Sequence, residues 1–284
     1  MHHSRVVIGS LLVVLAAACS DASGEAATTS AAAPGSTTTT VAAATSTTTT
    51  APTATATTLS EATTTSIVAT PVVTDVIREE RGQDPAYTLL ITIPAVSGLS
   101  DPAAEATINN ELAAVGNDAA GGFLTDIEDA DNYGFGNDLV VGYETRALHP
   151  TVASFRFNHY VYFDGAAHGM SAISTLTFDL TTGRILTLPD VLIGDSAPTA
   201  LSILAAAHLR DDYYSGDPAE FAAWVPETGT LDVSRFALGP AGLEISFDQY
   251  EVGPGAMGPV TVTVPYEELG VLINQEGPIP VIRG

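Results

Sequence analysis

The chain has 284 residues and a formal net charge of −24, and its nine basic residues are all Arg. Such a surface repels phosphate backbones, which excludes nucleic acid as a partner; its acidity either only keeps the protein soluble or attracts a basic partner. A lone cysteine, Cys19, excludes an internal disulfide and calls for another explanation.

The first residues fall into three zones. Met1 to Arg5 is short and carries one Arg, Val6 to Ala18 is apolar, and Cys19 is followed by polar Ser20 and Asp21. The apolar run is shorter than the roughly 20 residues a spanning helix needs and has the length of a signal-peptide core. Leu15-Ala16-Ala17-Ala18-Cys19 resembles a lipobox, although that pattern usually places Leu where this chain has Ala16. The resemblance implies cleavage before Cys19, acylation of its thiol and attachment to the bilayer through the acyl chains. Residues 1–18 are thus expected to be a lipoprotein signal peptide. The remainder is expected on the extracytoplasmic face of the cell membrane, with its domain in the cell-wall space.

Residues 19–70 are mostly Ala, Thr and Ser, with no aromatic side chain. Such a segment buries too little apolar surface to offset chain entropy and is expected to be a disordered tether. Some fifty flexible residues have a root-mean-square span of about 40 Å. The Thr runs at 37–40 and 47–50, interrupted by Pro34 and Pro52, also have the composition of glycosylated stalks.

The remaining stretch reads as alternating strand and helix signals. Val72 to Arg78 and Tyr87 to Ile93 read as strands, the second closing at Pro94. Asp101-Pro102 opens a helix in which Ile108, Leu112 and Val115 share a face; Asn117 to Ile127 keeps some of that period toward Phe123 and Ile127, while Gly121-Gly122 weakens the extension. Asp138 to Leu148, Val152 to Phe163 and Ser171 to Leu180 are strands, with Thr182-Gly183 as a tight turn into Arg184 to Leu188. Helices follow over Pro198 to Arg210 and after the cap Asp217-Pro218. Phe236 to Leu238, Gly242 to Phe247 and Val260 to Val264 are the last strands, and Pro265 to Leu269 is a closing helical turn. This order predicts an α+β fold, a largely antiparallel sheet with two to three helices packed on it.

Three stretches together resemble a known family. These are Tyr160-Val161-Tyr162-Phe163-Asp164-Gly165-Ala166-Ala167-His168-Gly169, the hairpin from Phe178 to Leu192, and Phe247 to Gly258 running into Val264 to Leu269. They resemble the extracytoplasmic domain of RsiV-type anti-sigma factors, in which the place of Ala166 is a second Gly. Similar domains occur in mycobacterial secreted immunogenic proteins and beside polysaccharide deacetylases. The resemblance covers about residues 72–270 and divides the domain into an N-terminal half, 71–160, and a C-terminal half, 161–284. It implies an α+β domain that binds an extracellular ligand, lysozyme in the anti-sigma member. An anti-sigma factor also needs a cytoplasmic part and a spanning helix, and this chain is expected to have neither.

The candidate ligand-binding residues are Asp164, His168, Tyr213, Tyr214 and Tyr250. His168 sits in a Gly-rich insert with Asp164 four residues before it; it either meets a ligand or fixes the loop by hydrogen bonds. Tyr213-Tyr214 and Trp224 make either an aromatic platform or a core residue with the Tyr pair covering its edge. A metal set of His159, Asp164 and His168 is not assigned, because strand alternation does not converge those side chains. No nucleophile elbow, zinc-binding His-Glu-x-x-His or phosphate-cradling loop is present, and adjacent Asp211-Asp212 cannot flank a glycosidic bond. No catalytic residue and no cofactor is assigned. The sequence therefore points to a lipid-anchored binding protein for a basic protein such as lysozyme or for wall glycan. The alternative is an enzyme acting on peptidoglycan or another wall polysaccharide.

Overall fold

The structure, a computed structural model, describes residues 70–129, 135–215, 217–225 and 230–283. The expected signal peptide, Cys19 and all of the tether but Thr70 lie outside the described residues. None of the helices described is long and apolar enough to cross a membrane.

The first half is β1 (Val72–Gln83), β2 (Ala86–Ser97), helix α1 (Pro102–Asp129), β3 (Phe135–His149), β4 (Val152–Tyr162) and β5 (Met170–Asp179). These strands form one sheet in chain order, antiparallel except where β2 runs parallel to β3. The exception follows from α1, since a crossover helix returns the chain to the same end of the sheet. Asp101 Oδ1 accepts the Ala103 N–H at 2.8 Å to cap that helix. The helix runs through Gly121 and Gly122 without a break. Its stripe of Ile108, Leu112, Val115, Phe123 and Ile127 is buried, as the 3.6-residue period requires. Gly116 lets it lie close to β2, because a Cβ there would come within 2.9 Å of Ile91. Leu89, Ile91, Leu139, Val141, Phe155 and Phe157 complete this core.

The second half contains α2 (Leu188–Val191), α3 (Ala197–Tyr213), α4 (Pro218–Trp224), β6 (Phe236–Leu238), β7 (Gly242–Phe247), β8 (Val260–Pro265), α5 (Tyr266–Leu269) and α6 (Pro278–Arg283). Strands β6, β7 and β8 make a separate antiparallel sheet, so the expected α+β class is divided between two sheets. A second apolar core joins Leu201, Ala205 and Leu209 of α3 to Leu243, Ile245 and Val262. Asp217 caps α4 by accepting the N–H groups of Ala219 and Glu220 at 2.9 and 3.2 Å.

Two expectations are corrected. Strand β2 does not close at Pro94 but continues to Ser97. Beyond Ile91 it pairs only with β1, so Pro94 loses no ladder bond to β3. The stretch Arg184 to Leu188 is not a full strand: it makes a single bridge, Ile185 with Phe178, before α2 begins.

The two sheets are joined by buried polar contacts. Ser154 of β4 bonds to Thr177 at 2.8 Å and accepts the Leu238 N–H of β6 at 2.9 Å. Glu244 of β7, 4 % exposed, receives the Arg146 guanidinium of β3, with Nε at 2.8 Å. Arg156 lies 3.6 Å from the same carboxylate, and Glu144 pairs with both arginines.

Candidate functional site

Two loops meet beside the start of β5. The first, residues 163–169, links β4 to β5 and is closed by the Ala166 N–H donating to the Phe163 carbonyl at 3.0 Å. Gly165 holds φ at 84°, a conformation that disfavours a side chain. The loop is pinned by Asn137, fully buried, whose Oδ1 accepts the Asp164 N–H at 2.9 Å. At its end the Tyr160 ring lies against Gly169, where a Cβ would come within 2.3 Å of it.

The second loop, residues 248–258, links β7 to β8. It is stitched to the edge of β5: Asp248 Oδ1 accepts the Ile173 N–H at 2.7 Å, and Gln249 Oε1 accepts the Ser171 N–H at 2.8 Å. Gln249 also donates through Nε2 to the Gly255 carbonyl at 2.9 Å. Glu251 pairs with Arg235 and accepts the Asp248 N–H at 2.8 Å. Burial pushes the Glu251 carboxyl up, against the pull of that N–H and of Arg235. So fastened, the loop holds Tyr250 at a φ of 71°, a strained conformation for an aromatic residue. The Tyr250 ring rests over Gly255 and stays 43 % exposed.

His168 and Tyr250, from the two loops, meet at 2.8 Å between Nε2 and the phenol oxygen. The His168 Nδ1 lies 2.9 Å from the Gly169 carbonyl, which can only accept. Nδ1 therefore carries the proton of the neutral ring, and the Tyr250 hydroxyl donates to Nε2. Both imidazole nitrogens are engaged, and both residues stay exposed. The pair is an exposed patch of two rings in which each side chain holds the other in place.

The other predicted residues are placed as follows. Asp164 shares the loop with His168 and is half-buried. Tyr213 is exposed and donates to the Thr261 carbonyl at 2.9 Å. Tyr214, adjacent in sequence, is 2 % exposed, so direct contact with a ligand is closed to it. Its hydroxyl donates to the Val252 carbonyl, which braces the Tyr250 loop from behind. Trp224 is 37 % exposed on α4 rather than in the core. His159 bonds to Ser174 at 2.8 Å and is depressed by burial, against the field of Asp248. Among the described residues no three His, Cys, Asp or Glu side chains are grouped to hold a metal ion. Sequence reasoning missed Tyr160 and Gln249; the glycines they pack on or bond to, Gly169 and Gly255, were the available signal.

Residues 197–267 match the profile of a family described as a protein of unknown function, DUF3298. The matched stretch includes Tyr213, Tyr214 and Tyr250 but not His168, so the loop site is assembled from inside and outside the DUF3298 match. A DUF3298 protein from Bacteroides fragilis superposes with a TM-score of 0.60 at 18 % identity, covering 76 % of this chain and 98 % of that one. A second, from Pseudomonas aeruginosa PAO1, gives 0.55 at 14 % identity, covering 72 % of this chain and 95 % of that one. At these identities the likeness shows a shared fold. The peptidoglycan-N-acetylmuramic acid deacetylase PdaC of Bacillus subtilis is 25 % identical over 143 residues, 49 % of this chain. The chain spans only 30 % of that enzyme's length.

Proposed function

We propose that this is a lipid-anchored binding protein of the bacterial cell envelope, tethered outside the membrane through Cys19. Its folded part captures a basic extracellular protein, with lysozyme as the reference partner. The observation that carries the reading is the His168–Tyr250 pair, an exposed aromatic surface held ready by two stitched loops and by a strained Tyr250 backbone. Strain of this kind persists only where the surroundings impose it, and it gathers at contact sites. The net charge of −24 favours a basic partner, and the resemblance to RsiV-type domains supplies lysozyme as the first to try. The reading is of a binding protein rather than an enzyme.

Calorimetric titration of the folded chain with lysozyme across a salt series tests this. The expected result is saturable binding whose affinity falls as salt rises. No binding at low salt removes the reading.

A second reading takes wall glycan as the ligand. The partial likeness to a peptidoglycan deacetylase favours it. Co-sedimentation with insoluble peptidoglycan is its test, and release of acetate from that polymer would convert the reading to an enzyme.

A further inference from the structure

The five-stranded sheet has one face covered by α1. Leu89 and Ile91 of β2, Leu139 and Val141 of β3, and Phe155 and Phe157 of β4 point into that core. Alternation sends the intervening residues to the opposite face. There Leu90 pairs with Val140, and Val140 pairs with Tyr160. These three form one row across three adjacent strands, about 10 Å from end to end. They are 39, 38 and 41 % exposed. Ile77 of β1, paired with Thr92 of β2, adds a 60 % exposed apolar residue. The open face of a half-solvated sheet is ordinarily polar, as it is here at Thr88, Asp138 and Asn158. The apolar row is therefore a feature that packing among the described residues does not explain.

The second sheet does not cover this row. Its strands meet the large sheet at the other end of β4, where Leu238 meets Ser154 and Glu244 meets Arg146 of β3. The row instead runs into the loop site. The Tyr160 ring lies on Gly169, next to His168, and Tyr160 pairs with Ser171, whose N–H is held by Gln249 beside Tyr250. Acidic residues flank it: Glu79 lies opposite Leu90, and Asp138 lies between Thr88 and Tyr162 one row along. Arg81, opposite Thr88, shares this face, whereas Arg78, opposite Ile91, lies on the other face and pairs with Glu80.

We infer that this open sheet face is the docking surface for the basic protein partner, with Leu90, Val140 and Tyr160 as its apolar centre and His168–Tyr250 at its rim. The inference rests on the binding reading above and names where that partner sits. A basic protein is the occupant because the flanks are acidic and because two copies of a chain at −24 repel each other. An apolar centre with a charged rim is the arrangement in which a few contacts dominate affinity.

The test compares lysozyme titrations of the wild-type chain, Leu90→Lys, Val140→Lys and Val271→Lys. Val271 is 91 % exposed in the turn after α5, so it carries the same charge change at a site outside the row. The expected result is an affinity loss of at least about tenfold for Leu90→Lys and Val140→Lys, and a small loss for Val271→Lys. Hydrogen exchange on the wild type is a second readout, independent of whether the variants fold. Lysozyme is expected to slow exchange in residues 88–92 and 138–142. Equal affinities for Val140→Lys and Val271→Lys, or unchanged exchange in those segments, overturn the inference while leaving the binding reading standing. No wild-type binding overturns both. A wild-type dimer abolished by Val140→Lys makes a second copy the occupant and overturns the basic partner.

Discussion

Glu244 on the central strand of the small sheet and Arg146 on the large sheet form a charge pair across the junction of the two. Arg156 and Glu144 extend it into a four-membered network, in which the Glu244 side chain is only 5 % exposed. The pair raises the Arg146 guanidinium further above its ordinary value, mainly through its bond to Glu244 and against the cost of burial. Removing Glu244 leaves the two partly buried arginines to share Glu144 alone. Glu244→Leu is expected to lower unfolding stability by about 3 kcal/mol in urea titration. A triple variant with Arg146→Met, Arg156→Leu and Glu244→Leu is expected to recover most of that loss, because apolar groups of similar volume then fill the junction.

Tyr250 separates stability from binding. Its backbone sits at a φ that glycine adopts freely. Tyr250→Gly relieves that strain while deleting the ring and its hydroxyl bond to His168. Stability is expected to stay within about 1 kcal/mol of the wild type, while lysozyme affinity falls at least about tenfold. Thermal melting and calorimetry on the same sample distinguish the two effects.

His159 sets a pH dependence. Burial holds its folded pKa below the free value of 6.5, with Asp248 opposing. As the pH falls past the free value, the unfolded chain gains a proton before the folded chain does. The contribution is therefore intact above about pH 6.5 and is lost progressively below it. Urea midpoints at about pH 7.5 and about pH 5.5 are expected to show a smaller acid-side loss for His159→Gln than for the wild type.

Three glycines respond oppositely to alanine. Gly121 and Gly122 lie in α1, exposed, with nothing within 4 Å of an added Cβ. Alanine at either position is expected to raise stability by about 0.5 to 1 kcal/mol. Gly183 has φ 74°, and a Cβ there would come within 2.9 Å of the Ala104 carbonyl. Gly183→Ala is expected to cost about 1 to 3 kcal/mol, read as a fall in melting temperature.

Local chemistry made much of the fold legible. The stripe of Ile108, Leu112 and Val115, the Asp217 cap and the alternation of β4 each read directly from neighbours in the chain. What was hidden depends on residues far apart. Glu244 alternates with Leu243 and Ile245 as a half-solvated strand would, yet it is buried because Arg146, 98 positions away, receives it. Pro94 stops a strand only when both sides are paired, and that β2 loses β3 after Ile91 is a tertiary fact. The site shows the same division. His168 stood out as an imidazole in a Gly-rich insert and Tyr250 was a candidate by itself, but their contact spans 82 positions. Tyr214 looked like a partner of Tyr213, and the helix end turned one outward and one inward.

The chain enters the described fold at Thr70 and passes at once into β1, the outermost strand of its sheet. A load drawn through the preceding residues is therefore borne first by the Val72–Ser97 end of the β1–β2 ladder. Under such traction that seam is loaded before either core, and its rate of opening is a kinetic quantity separate from the equilibrium stability of the domain.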